Sequence, residues 1–360
     1  MKRKRGLLVI AVLLIVALVF AACGNKAPAA PDKPAADKPA ATAPEDSGGG
    51  GGGELTKFGL SVWTMEWDFF QLMAKGMQDA CDAAGLEWTL HDQKGDQTEM
   101  VSGCQNLINQ GIDALVISPF APPAMPPVVE AAHGKGIPVV ICDIGTGDSD
   151  YDAFVYSDNY GGGVMNGEEI IKLLEAKGET GKKYAMIRPA PEHVVSQERC
   201  NGASSVLNAA GYECVSDLHG TGDTPNALQL MNDTLAANPD IVAVVCGNDM
   251  AAAGAAQAAL DAGITGLVIS GFDLADQGVE GLKNGTISCT VMQFPYDMGW
   301  KSVDVAIELA KGNALAFDNA DLKEIYVDVK LIRPADVDGK ELGDVPISVS
   351  GKTRGDINMG

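Results

Sequence analysis

Basic residues are scarce in this 360-residue chain: 26 Lys and Arg stand against 48 Asp and Glu, a net charge of −22. A surface of that sign repels phosphate backbones and anionic bilayers, which excludes nucleic acid as a partner. Histidine is scarcer, with four in all (His91, His133, His193, His219), and none forms an HExxH pair, which excludes that zinc-protease site. There is no GxSxG elbow and no CxxC. Asp148-Ser149-Asp150-Tyr151-Asp152 opens like a calcium loop but has Ala153 and Asn159 where glycine and glutamate are required, so it reads as a solvated loop. The glycines Gly48–Gly53 are not a phosphate loop, because no strand precedes them and no Gly-Lys-Ser/Thr follows. Neither a cofactor nor a metal site is expected.

What is present begins with a targeting segment. The basic cluster Lys2–Arg5 precedes the apolar run Leu7–Ala22, which is shorter than the about 20 residues a transmembrane helix needs. The run ends in Phe20-Ala21-Ala22-Cys23-Gly24. Small residues before a cysteine resemble a bacterial lipobox, with Phe20 a mild departure from the usual Leu. That resemblance implies cleavage before Cys23, lipidation of Cys23, and a protein held at the extracytoplasmic face of a membrane. Loss of residues 1–22 leaves 22 basic against 48 acidic residues, a net −26. Residues 23–54, rich in Ala, Pro and Gly, hold no core-forming side chains and read as a tether. The other seven cysteines are odd in number and lie in apolar patterns, so they read as small buried hydrophobes.

From residue 57 the chain alternates apolar runs with helical spacing. Phe58–Trp63, Glu87–His91, Ala114–Ile117 and Pro138–Asp143 read as strands, with helices over Asp68–Ala84, Thr98–Gln110 and Pro123–Lys135 between them. After Ala153–Tyr156 the rhythm restarts. Strands are expected over Lys183–Ile187, Glu213–Asp217, Ile241–Cys246, Leu267–Ser270, Ile287–Met292 and Ile325–Val329. Helices are expected over Gly167–Lys177, Ser196–Ala210, Met250–Ala262 and Tyr296–Lys311, and one that Thr224 would cap at its amino end. The pattern predicts an α/β protein of two similar doubly wound parallel-sheet lobes. Ligands of such sheets sit outside the carboxyl ends of the strands. Ser118 and Asp143 stand there in the first lobe, Asn248, Asp273 and Gln293 in the second. Short acids and amides with aromatics nearby suit a polyhydroxylated ligand.

Several motifs, in order, resemble the periplasmic sugar-binding proteins of ABC importers (the ribose- and galactose-binding family). They are Asp68-Phe69-Phe70, Asn109-Gln110-Gly111-Ile112-Asp113-Ala114-Leu115, Ser118-Pro119, Ile137-Pro138-Val139-Val140 leading to Asp143, and Ser157-Asp158-Asn159. In the second half they are Glu198-Arg199, Gly247-Asn248-Asp249-Met250-Ala251, Gly271-Phe272-Asp273 and Gln293. The resemblance implies a type I periplasmic binding fold with lobes 55–157 plus 294–322 and 158–293 plus 323–346, and a tail over 347–360. It implies a three-strand hinge near Tyr156–Asn159, Met292–Phe294 and Asp321–Glu324. It puts Phe69 and Phe70 against a sugar ring, with Asp143, Arg199, Asn248, Asp273 and Gln293 on its hydroxyls and Ser118, Trp63 and Trp67 lining the site. The implied function is capture of a monosaccharide or sugar alcohol and delivery to a membrane permease, by a monomer and without catalysis. A sensory subunit serving a receptor kinase or chemoreceptor fits the same residues. Two departures stand out. Asp143 is followed by Ile144 where many relatives have arginine, and Trp63 and Trp67 replace small polar residues. Both make the pocket more apolar.

Overall fold

Four-residue runs without a polar side chain, such as Ala114–Ile117 and Ala243–Cys246, are buried on both faces. That is the environment of a central strand in a parallel sheet covered by helices. The computed structural model describes residues 54–356 apart from 192, 341, 347, 349, 354 and 355. Cys23, the leader and the tether up to residue 53 lie outside the described residues.

The first lobe is laid down as β1 (Lys57–Val62), α1 (Asp68–Ala83), β2 (Glu87–Asp92), α2 (Gln97–Asn109), β3 (Ala114–Ile117), α3 (Pro126–His133), β4 (Val139–Cys142) and β5 (Ala153–Ser157). The second follows as α4 (Asn159–Ala176), β6 (Lys183–Arg188), α5 (Val194–Ala209), β7 (Glu213–His219), α6 (Thr224–Ala237), β8 (Ala243–Cys246), α7 (Asp249–Asp261), β9 (Val268–Asp273), α8 (Asp276–Asn284) and β10 (Cys289–Met292). The chain then returns with α9 (Pro295–Ala310) and β11 (Glu324–Val327), and crosses again to β12 (Lys330–Ile332) and α10 (Pro334–Val337). The sheet orders are β11-β5-β4-β3-β1-β2 and β12-β10-β9-β8-β6-β7. All pairings are parallel except that of β12 with β10. The expected α/β architecture of two similar lobes is therefore the one observed.

Three boundaries differ from expectation, each for a physical reason. Glu324–Val327 pairs with β5, so it belongs to the first sheet and not to a second lobe starting at 323. Tyr326 meets Tyr156 edge-on at 5.3 Å, and Tyr156 stacks on Phe154 at 4.3 Å, which fixes that edge. The third crossing thus lies at Asp328-Val329, not at Asp321–Glu324. Second, α4 begins at Asn159 and contains the glycine triplet rather than following it at Gly167. A methyl group on Gly163 would overlap the Arg199 carbonyl, so glycine there is what lets α4 and α5 pack backbone to backbone. Third, the cap of α6 is Asp223, which accepts from Asn226 N at 2.9 Å. Thr224 instead donates to the Met250 carbonyl.

The segment after α10 does not stay with the second lobe. Val345 is buried, and Lys352 Nζ donates to the Tyr296 hydroxyl of α9 at 3.0 Å, which itself donates to Asp79 of α1. Six of the seven described cysteines are buried and Cys214 is partly exposed; all are free.

Gly76 of α1 makes the first lobe's equivalent close approach, facing the Tyr296 carbonyl. Gly76→Ala is therefore expected to cost about 2 kcal/mol in a denaturant titration, the usual penalty for overpacking a tight contact. A loss near zero would mean that α1 and α9 are not held this closely.

Candidate ligand-binding cleft

The first lobe's contribution starts where β1 ends. Trp63 lies 5.3 Å from Trp67, 5.4 Å from Phe70 and 5.4 Å from Phe120, ring centre to ring centre. Within this cluster the roles separate. Phe70 is 3% exposed and joins the core beneath α1, whereas Trp67 is 54% exposed. Gln71 Nε2 donates to the Met65 carbonyl at 2.8 Å and Asp92 Oδ1 accepts from Met65 N at 3.2 Å, which fixes the loop between β1 and α1. Ser118 follows β3 and is fully buried, with its Oγ unpartnered. Gln93, which sequence reasoning passed over, holds this corner. Its Nε2 donates to Ser61 Oγ and the Ser118 carbonyl, and its Oε1 accepts from Phe120 N.

In the second lobe the centre is Arg199. Its Nε donates to Asn159 Oδ1 at 2.7 Å, and its Nη1 to the Gly247 carbonyl at 3.0 Å and Asp273 Oδ1 at 2.9 Å. The guanidinium lies 4.1 Å from the centre of the Phe272 ring. Asp273 Oδ1 also accepts from Gln293 Nε2 at 2.7 Å, while Gln293 Oε1 is buried without a partner. Asn248, expected on the ligand, spends its amide on the protein. Its Oδ1 caps α7 by accepting from Ala251 N, and its Nδ2 donates to the Gly222 carbonyl.

Asp143 and Asp273 stand at matching places, the ends of the fourth strand of each lobe. Both have left-handed backbones, φ 64° and 102°. Such conformations cost a non-glycine residue on the order of 1–3 kcal/mol and cluster at functional sites. The buried Asp249, named in the sequence only as part of a motif and given no role there, steadies the second of them. It accepts from Ala275 N at 2.7 Å and from Thr290 Oγ1 at 2.6 Å. Burial, reinforced by Asp273, pushes its carboxyl up to about 8. Burial likewise pushes Asp143 up to about 7; Arg199 opposes the shift and Asp273 adds to it. Arg199 and Asp273 belong to the second lobe, Asp143 to the first.

Between the lobes lies a cavity of about 470 Å³. Of the expected site residues, Trp67 and Phe69 wall it from the first lobe and Asp273 and Gln293 from the second. Trp63, Phe70, Ser118, Asp143, Arg199 and Asn248 are not on this wall. The wall also includes Glu66, Asp276 and Val345, which no strand-end signal marks. The loop 148–152 is occupied by the protein itself: Asp152 Oδ2 accepts from His133 Nε2 and Val139 N, and Asp150 lies 3.3 Å from Lys323 Nζ. Among the described residues no group of three or more candidate metal ligands occurs.

The family model for the periplasmic binding protein domain matches residues 58–314. This chain belongs to that family. The ribose import binding protein of Bacillus subtilis (strain 168) is 31% identical over 71% of this chain and 81% of its own length. A periplasmic ribose ABC transporter structure from Conexibacter woesei superposes with a TM-score of 0.73 at 22% identity, covering 79% of this chain and 94% of that one. A solute binding protein from Bacillus halodurans with bound myo-inositol gives 0.65 at 24% identity, over 78% and 96% of the two chains. The shared fold is the two-lobed type I arrangement.

Asp143 gives this site a pH signature. Its folded pKa of about 7 lies above the ordinary 3.8, so its contribution to stability is greatest below the ordinary value and is lost as pH rises toward 7. Melting temperatures of the protein and of Asp143→Asn, compared from pH 4 to 8, should diverge in the variant's favour as pH rises. A constant difference would mean that the carboxyl is not desolvated.

Proposed function

We propose that this protein is the substrate-binding lipoprotein of an ABC sugar importer, capturing a monosaccharide or sugar alcohol between its lobes. The cavity carries this reading. Its aromatic wall of Trp67 and Phe69 suits the apolar C–H face of a ring, and the Asp273–Gln293 wall suits its hydroxyls. The relative in Bacillus subtilis bears the name of a ribose import binding protein, and a structural neighbour holds myo-inositol. Arg199 joins this site through its pair with Asp273, and Asp143 and Ser118 are assigned to it as strand-end residues of the first lobe.

Binding works by differential affinity. A ligand touching both walls stabilises the closed lobes and leaves the open form unaided. The bending points are the crossings at Asp158, Gln293-Phe294 and Asp328-Val329. The closed lobes then form the surface a membrane permease recognises. Cys23 anchors a monomer by its lipid at the extracytoplasmic face, and the tether lets it turn. No catalytic step is assigned: the cleft carboxylates position hydroxyls, and relatives are named as binding proteins. The sensory alternative has no observation of its own in its favour.

Thermal-shift screening against pentoses, hexoses, polyols, nucleosides and amino acids tests the class, since a ligand of the folded state raises the melting temperature by mass action. A shift confined to sugars or polyols is expected; one confined to nucleosides or amino acids would sink the proposal. With the ligand in hand, Asp273→Ala should weaken binding about 30- to 100-fold in calorimetry, the loss of a charged hydrogen-bond partner that also orients Arg199 and Gln293. Unchanged affinity would remove Asp273 from the site.

A further inference from the structure

The polar groups of the cavity wall are unbalanced. Four acids, Glu66, Asp68, Asp273 and Asp276, line it beside two amides, Gln277 and Gln293, and no Lys, Arg or His does. Ionised carboxylates only accept hydrogen bonds. Gln293 adds to the excess: it is 5% exposed, its Nε2 is spent on Asp273, and its Oε1 is left as a buried acceptor without a partner. Arg199, which is not on this wall, is already paired with Asp273. A hydroxyl brings donors and acceptors together and does not redress that excess, whereas an ammonium brings three donors and no acceptor. Trp67 and Phe69, on the same wall, present aromatic faces that attract a cation.

We infer that the cavity selects a cationic, amino-substituted sugar or cyclitol over the neutral parent compound. The inference rests on the cavity being the ligand site of the sugar-binding reading above. In that pose the ring lies against Trp67 and Phe69. Its hydroxyls meet Asp273, and its ammonium points to Gln293 Oε1 and the carboxylates of Glu66 and Asp276. The outer two acids are exposed, so their share is salt-sensitive.

The test uses matched probes: glucose, glucosamine and N-acetylglucosamine; galactose and galactosamine; myo-inositol and an amino-inositol. Titration calorimetry is run at low and at high sodium chloride. The charged amine of at least one set should bind about 5- to 10-fold more tightly than its neutral parent at low salt, an advantage that shrinks at high salt. The N-acetyl compound should lose it. In the double variant Glu66→Gln, Asp276→Asn the amine-to-parent ratio should fall toward one, with the ligand-free melting curve reporting that the fold is intact. Neutral compounds binding as well as or better than their amines would overturn the inference and leave the sugar-binding reading standing. Binding by neither class would overturn the inference, and the thermal-shift screen with its pentoses then decides the sugar-binding reading separately.

Discussion

Arg199 reaches Asp273 at 2.9 Å from a helix, across the end of a strand, while bonding Asn159 and the Gly247 carbonyl in the same plane. One guanidinium thus ties α4, α5, the end of β8 and the end of β9 together. The arrangement requires α4 and α5 to pack almost backbone to backbone, which Gly163 permits. It also requires Asp273 to hold an unfavourable φ of 102°. A surface ion pair contributes little, but one of low exposure that also satisfies neighbouring carbonyl and amide groups fixes geometry. The strain at Asp273 persists because Arg199, Gln293 and the loop clamped by Asp249 all determine its position.

The first lobe reaches a similar end by other means. It has no arginine at the strand end, and Ile144 follows Asp143. Its side of the cleft is built from rings, with Gln93 pinning the loop that carries Ser118 and Phe120. One wall is therefore apolar and set by packing, the other polar and set by hydrogen bonds. A ring with one greasy face and one hydroxylated edge meets both.

Much of this was legible in the sequence, for an identifiable reason. Parallel strands buried on both faces are nearly continuous apolar runs, and the first polar residue after each run marks its carboxyl end. That rule located Asp143, Asp273 and Gln293. It also marked Asn248, where the same position starts a helix: its Oδ1 caps α7 and its Nδ2 bonds the Gly222 carbonyl. The glycine triplet reads as a break by propensity, yet helix contact overrides propensity in α4. The partner of β11 was not legible, since an edge strand's place depends on which lobe offers a free edge. Glu66 and Val345 stand on loops and Asp276 opens α8, places where no strand periodicity points into the cavity.

Val345 also bears on how the molecule is assembled. The cavity's wall runs from Glu66 to Val345, nearly the whole length of the described chain. The first lobe cannot finish its sheet until β11 is available, and residues up to Lys352 must still fold back onto α9. Contacts of such long sequence separation close slowly. A partly made chain thus has strands, helices and an exposed aromatic cluster but no completed pocket. Ligand can act on the last stage of folding only, as a selector of finished molecules and not as a template for unfinished ones.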